Sequence, residues 1–484
     1  MSVRHLVHLV GLILLALSVA LAVTTLAALL LGDGDWPAFM ITTVIAAVAG
    51  LLGFRVTRLE RELSPREGYA IVSLAWLAVG IVGSLPYLLA GVVATPVEAL
   101  FESFSGFTTT GATVFSEIES LPRGILLWRS LTQWLGGMGI IVLGIAILPF
   151  LGIGGMQLFK AEVPGPTPER LRPRITQTAK LLWYVYAGLT AAQVLLYLVG
   201  GLSLFDAVTH ALATLSTGGF SPRNDSIAAF SSPYVQYVTI AFMFMAGVNF
   251  ALHFRAVSGD FKVYGRDAEW KFFVRVIATC SFAILLLLLL QGVYAREGFE
   301  RAFRDSLFQT VSIATSTGFV SYDYGLWPLG AQLILVALMF MGGMAGSTAG
   351  GMKTMRVHVL LRHGFSELTK ALHPKAVIVT RVGRTVVRDD VVLNIFGFAM
   401  LYLGLFCAGV LALALLGHDL ATSIGASVSS IGNIGPGIGG VGAVDNYGWM
   451  GPGSHLVLIF LMVVGRLEIF TVMLLFHPDL WRTR

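Results

Sequence analysis

Apolar residues run along this chain in long unbroken blocks rather than at the spacing of an amphipathic surface helix. A hydrocarbon core of ~30 Å needs ~20 apolar residues in helix. Blocks of that length fall at about 6–31, 36–54, 68–91, 124–151, 180–201, 233–254, 272–295, 328–341 continuing to about 361, 391–416 and 454–476. The pattern predicts ten membrane-spanning helices. Arg4 precedes the first block and no small-residue cleavage site follows it, so a retained helix is expected rather than a signal peptide.

The polar segments between the blocks alternate in charge. Of 32 Lys and Arg residues, 25 fall on one side, including eight between Lys353 and Arg388. Six fall on the other (Arg123, Arg129, Arg223, Arg296, Arg301, Arg304), and Arg466 alone lies within a span. Basic loops stay in the cytoplasm, which puts both termini there. Four outward loops are 20 to 40 residues long and share a layout of full span, short half-apolar helix, Gly/Thr/Ser stretch and full span. The stretches read Thr109-Thr110-Gly111-Ala112, Thr217-Gly218-Gly219-Phe220, Ser316-Thr317-Gly318-Phe319 and Asn433-Ile434-Gly435-Pro436. Their third-position glycines are 108, 99 and 117 residues apart, a repeat period that divides the chain. Residues 1–66 are two leading helices, and 67–160, 161–262, 263–375 and 376–484 are four units.

Composition narrows the class. Hydrophobic residues make up 56 % and charged residues 12 %, against ~25 % charged in soluble domains. This excludes a soluble globule, a disordered chain and a disulfide scaffold. Cys280 and Cys407 sit in apolar runs without metal or redox spacing. The net charge of +5 resides in loops between spans, so contact with a lipid bilayer explains it and nucleic acid is not a partner.

The expected chemistry follows from the repeated stretch. Each short helix is too brief to cross a bilayer and suits a re-entrant element. An acid upstream of each glycine (Glu98, Asp206, Asp305, Asp419) is expected in its first turn, complementing the positive end of the helix dipole. Irregular backbone at membrane depth must be buried in protein or line a wet cavity. Four such stretches can close a ring whose carbonyls replace a cation's water shell. Glycine adopts the required backbone angles without steric cost. No acid lies within the tetrads, and neutral oxygens suit a large monovalent cation.

A second feature lies in residues 341–352, where Gly342, Gly343, Gly346, Gly350 and Gly351, with Ser347 and Thr348, interrupt the eighth block. Glycine costs ~1 kcal/mol relative to alanine in a helix interior, so a broken helix of low local stability is expected, placed to gate the path or to pack closely against another helix. Lys353 follows it, either reaching the cytoplasmic interface or tethering the gate. Arg466, about midway along the last span, is expected to face the pore; the alternative is an ion pair with Glu468.

These tetrads resemble the Trk/Ktr/HKT superfamily. So do Thr108-Thr109-Thr110-Gly111-Ala112-Thr113, Leu215-Ser216-Thr217-Gly218-Gly219-Phe220-Ser221 and Gly346-Ser347-Thr348-Ala349-Gly350-Gly351. The two extra leading spans and Gly432-Asn433-Ile434-Gly435-Pro436-Gly437 are closest to its Trk-type membrane subunits. The resemblance implies uptake of K⁺ (Rb⁺ tolerated) through a pore in each chain of a homodimer in the bacterial inner membrane. It also implies a cytoplasmic TrkA-like regulatory ring carrying ATP/ADP or NAD(H). This chain itself has no nucleotide fold and needs no cofactor, and K⁺ at the filter is its only metal. All four glycines are present, where sodium-preferring relatives carry serine in the first loop. A symporter driven by H⁺ or Na⁺ is the alternative on the same scaffold, favoured by acids at membrane depth, of which only Glu468 qualifies. Gly32-Asp33-Gly34-Asp35 with Tyr322-Asp323 matches the letters of intramembrane aspartyl proteases, but both motifs lie in outward loops. No enzyme is expected. The linker punctuated by Pro164, Pro166, Pro168 and Pro173 offers basic residues to an acidic partner or anionic lipid.

Overall fold

The computed structural model describes residues 3–57, 65–146, 171–383 and 385–478. The proline-punctuated linker up to residue 170 therefore lies outside the described residues. The fold is helical. Its one sheet among the described residues is a hairpin of two two-residue strands, pairing Arg381 with Val386 on the cytoplasmic side of the expected topology. Among the described residues, six helices are long and apolar enough to cross a membrane: Arg4–Leu31, Trp36–Val56, Glu67–Leu89, Thr178–Val199, Ala268–Leu290 and Asp389–Leu415. The first two pack along each other, with Gly11 against the backbone of Gly50 and Gly53. Leu30, Val199 and Leu290 are three-quarters exposed on the outside, while Ser, Thr and Gln side chains fill much of the interior. The exposed apolar side chains fit a chain surrounded by hydrocarbon.

Two of the expected spans are bent rather than continuous. Pro233–Ala246 and Phe250–Val257 meet at 103°, and Pro452–Arg466 and Ile469–Phe476 meet at 117°. Counting each pair as one crossing gives eight spans among the described residues. The segment expected over 328–361 is divided into Leu329–Met339 and Thr354–Leu372. Arg123–Ala146 runs to the edge of the described residues.

Four short helices precede the glycine stretches: Pro96–Phe107, Leu204–Leu215, Phe299–Ala314 and Leu420–Gly432. Their starts follow local capping chemistry. Thr95 and Glu98 form a reciprocal capping box, Ser203 accepts from the Asp206 N–H, and Asp419 is itself the cap, accepting from Thr422. The acid was expected in each first turn, and the third helix departs from that. It begins at Phe299, so Asp305 lies in its second turn. There it is fully buried and binds Ser321, Tyr294 and Arg301.

Candidate ion pathway

Each short helix ends in the same backbone device. The first tetrad residue is left-handed in every case, with φ of 52° at Thr109, 53° at Thr217, 54° at Ser316 and 52° at Asn433. The third is again left-handed, with φ of 82° at Gly111, 78° at Gly219, 80° at Gly318 and 99° at Gly435. The residue between them is not. Such alternation turns successive carbonyls toward one side. The second-position N–H closes each helix end, donating to Ser105, Ala213, Ser312 and Ser429 carbonyls at 2.8, 2.9, 2.8 and 3.0 Å. Threonine and serine in a left-handed conformation cost roughly 1–2 kcal/mol each, so this geometry is imposed by the surroundings.

The four stretches close a ring in chain order. A Cβ on Gly111 would strike the Gly218 carbonyl, one on Gly219 the Thr317 carbonyl, one on Gly318 the Ile434 carbonyl, and one on Gly435 the Thr110 carbonyl. Each third-position glycine thus lies against the second-position carbonyl of the next stretch, and the fourth returns to the first. Gly111, Gly219, Gly318 and Gly435 all line one cavity with Arg129 and Tyr447. The ring is not identical in its four quarters. Gly435 O accepts from both Ser429 Oγ (2.6 Å) and Tyr447 Oη (2.7 Å), which occupies its two lone pairs. No such donor reaches the Gly111, Gly219 or Gly318 carbonyl among the described residues. Gln133 holds the second stretch, donating to Gly218 O at 2.6 Å and accepting from Phe220 N at 3.0 Å. Asn433 Nδ2 joins the fourth stretch to Thr110 Oγ1 at 3.0 Å.

The glycine-rich segment 342–351 touches the second, third and fourth quarters. Thr348 Oγ1 donates to Leu215 O at 2.9 Å, Gly350 N donates to Ser316 Oγ at 2.6 Å, and a Cβ on Gly350 would meet the Gly432 carbonyl. Arg466, fully buried, donates to Thr348 O at 2.6 Å and to Gly136 O at 3.4 Å. The segment is thus held against three quarters of the ring, and Arg466 links it to the helix Arg123–Ala146 of the first. The low local stability expected of it is not what the structure shows. Met344, Thr348 and Ala349 are fully buried, and Ala345 N donates to Glu269 Oε1 at 2.8 Å. Close packing around bare backbone, rather than looseness, is what the glycines permit here.

The two cations take particular places. Arg466 ends the helix Pro452–Arg466, at the break about midway along the bent segment expected as the last span. Glu468, with φ of 67° in the bend, pairs with Arg356 at 2.5 Å and not with Arg466. Lys353, with φ of 71°, turns its ammonium back onto the Ala349 carbonyl. Sequence reasoning also missed three side chains. Gln133 and Glu269 bind partners 85 and 76 residues away. Glu102 is a buried acid nine residues before Gly111, in the register of His210 before Gly219 and Gln309 before Gly318; that register was the available signal. The protease-like motif is engaged elsewhere. Hydrogen bonds from Arg123 hold the Asp33 carboxyl below the usual carboxylate range, and Asp323 caps a turn at Gly325.

A helical, multi-pass membrane protein with a closed ring of glycine stretches and a backbone segment beneath it belongs to the membrane transport class. The TrkH profile, described as a cation transport protein, matches residues 36–482. The Trk system potassium uptake protein TrkH of Escherichia coli K12 is 40 % identical over 486 residues, covering 100 % of both chains. TrkG of the same organism is 33 % identical, covering 99 % of each. The crystal structure of the potassium transporter TrkH from Vibrio parahaemolyticus matches with a TM-score of 0.91 and 38 % identity over 100 % of both chains. This chain belongs to the TrkH family, a family of transporters and not of enzymes.

Proposed function

We propose that this chain takes up K⁺ across the bacterial cytoplasmic membrane through a channel-like selective pore. The observation that carries the reading is the ring. Four stretches with the same alternation of backbone handedness abut in cyclic order, offering neutral oxygens at the depth where an ion must shed water. Thr109, Thr110 and Gly111, Thr217 to Gly219, Ser316 to Gly318 and Asn433 to Gly435 are the filter. The third-position contribution of the fourth quarter is reduced by the hydroxyls on Gly435 O. The short helices are re-entrant, and the bent and divided segments complete ten crossings in four units after two leading helices, with both termini cytoplasmic. Segment 342–351 is the gate, held shut by Arg466 and Lys353.

A cytoplasmic TrkA-like ring carrying ATP/ADP or NAD(H) acts on Thr354–Leu372, the helix that leaves the gate, and two copies of the chain form the working dimer. K⁺ is cargo, and no cofactor resides in this chain. Symport has less support. More acids lie buried than the sequence suggested, but Glu102 pairs with Arg129, Glu269 accepts backbone N–H, and Glu468 pairs with Arg356. Rb⁺ uptake into liposomes holding the purified chain tests the reading. It should proceed without a Na⁺ or pH gradient and be blocked by K⁺ far more than by Na⁺. Uptake that requires a coupling gradient would establish the symporter instead.

A further inference from the structure

The residue nine positions before the third-position glycine is Glu102, His210, Gln309 and Ala426 in the four short helices. In the second and third, the side chain reaches the segment that follows its own stretch: His210 Nε2 pairs with Ser221 Oγ at 2.9 Å, and Gln309 Nε2 donates to Tyr322 O at 3.2 Å. Glu102 does the same in the first, accepting from Thr113 Oγ1 and Val114 N at 3.1 Å. It then goes further. Its Oε1 accepts from Arg129 Nε at 2.7 Å in an ion pair that is 0 % and 1 % exposed. Arg129 reaches across the seam to the second stretch, donating from Nη1 to Ser221 O at 3.0 Å and lying 4.1 Å over the Phe220 ring. Ser221 thus receives Arg129 on its carbonyl and His210 on its hydroxyl.

A buried ion pair is poor evidence of stability in itself, because desolvating both charges offsets much of their attraction. Its geometry is what it contributes, since a guanidinium presents donors in a rigid fork. Here the fork is fixed by Glu102 on one side and donates from Nη1 to Ser221 and from Nη2, at 3.2 Å, to Thr113. These two residues follow directly after Ala112 and Phe220, the last tetrad positions of the first and second stretches. Among the described residues, none of the other three seams carries a buried ion pair.

The geometry points to Glu102 as a positioning residue for ion discrimination: through Arg129 it sets the spacing of the first and second stretches at the outer end of the ring. This rests on reading the ring as the filter. Replacing Glu102 by Gln keeps its shape but frees the guanidinium, and the seam between Gly111 and the Gly218 carbonyl loses its outer brace.

The test is competition of Rb⁺ uptake by K⁺ and by Na⁺ in liposomes. Variants are Glu102→Gln and the milder Thr113→Val, which removes the hydroxyl shared by Glu102 and Arg129 without changing volume. Gly111→Ser is run in parallel, and each variant is first checked for monodispersity and thermal unfolding. Glu102→Gln should lower the K⁺ over Na⁺ preference by about tenfold, equivalent to ~1.4 kcal/mol. Thr113→Val should shift it the same way by less, and Glu102→Asp, which keeps the charge, should recover part of the loss. Unchanged preference in folded Glu102→Gln and Thr113→Val, or an equal fall in uptake of both ions, overturns the inference. If Gly111→Ser alters the preference in that case, the filter reading stands. If Gly111→Ser leaves it unaltered too, the filter reading falls with it.

Discussion

Removing the Arg466 side chain should open the pathway in the absence of any partner. Its Nη1 donates to the Thr348 carbonyl at 2.6 Å and its Nη2 to Gly136 O at 3.4 Å. The second bond is long and contributes little. Hydrogen bonds to a charged group contribute ~1.5–3 kcal/mol, so losing the first should raise the population of the displaced segment by roughly 10- to 100-fold, at 1.4 kcal/mol per tenfold. Lys353 still holds Ala349, and Thr348 Oγ1 still holds Leu215 and Ala246, so the lower half of that range is expected for Arg466→Ala. The assay is the initial rate of Rb⁺ uptake into liposomes, normalised to the amount of protein inserted. Arg466→Lys separates two causes. It keeps the charge but not the fork, so a purely electrostatic barrier would leave its flux at the wild-type level, whereas a tether would give an intermediate rise. Folded Arg466→Ala with wild-type or lower flux would refute the reasoning.

Other outcomes follow from the same contacts. Gly111→Ser places a Cβ against the Gly218 carbonyl at φ 82°, and should lower K⁺ over Na⁺ preference by about tenfold in uptake competition. Deleting Ala345–Gly351 removes the bonds to Arg466, Ser316 and Glu269 together. Partner-independent Rb⁺ flux should then exceed that of Arg466→Ala, and flux that still depends fully on a regulatory ring would place the gate elsewhere. Glu269→Ala removes the carboxyl that accepts the Ala345 N–H, a bond that contributes ~1 kcal/mol; flux should rise about fivefold, and no rise would show that this bond does not restrain the segment.

The parts of the architecture written in local chemistry were legible in the sequence. A third-position glycine is required where φ is positive and a neighbouring carbonyl stands where a Cβ would be, so the four glycines kept their register and the ring was visible before any contact was known. The break at 342–351 was visible for the same reason. The bends at Gly247–Asn249 and Leu467–Glu468 were not, because apolar residues resume within a few positions of each and the hydrophobic blocks 233–254 and 454–476 read as continuous. Gln133 and Glu269 act on backbone 85 and 76 residues away in the chain, and no periodicity encodes that. The segment's tight packing was equally hidden, since its strength comes from Arg466, Ser316 and Leu215 on other helices rather than from its own side chains.

The central claim is that cations pass through the ring formed by the four glycine stretches. The most direct measurement is anomalous diffraction from crystals of this protein grown in Rb⁺. The account predicts anomalous peaks inside the ring, bounded by the second-position carbonyls of Thr110, Gly218, Thr317 and Ile434. Peaks elsewhere among the helices, with the ring vacant at Rb⁺ concentrations that support uptake, would contradict it.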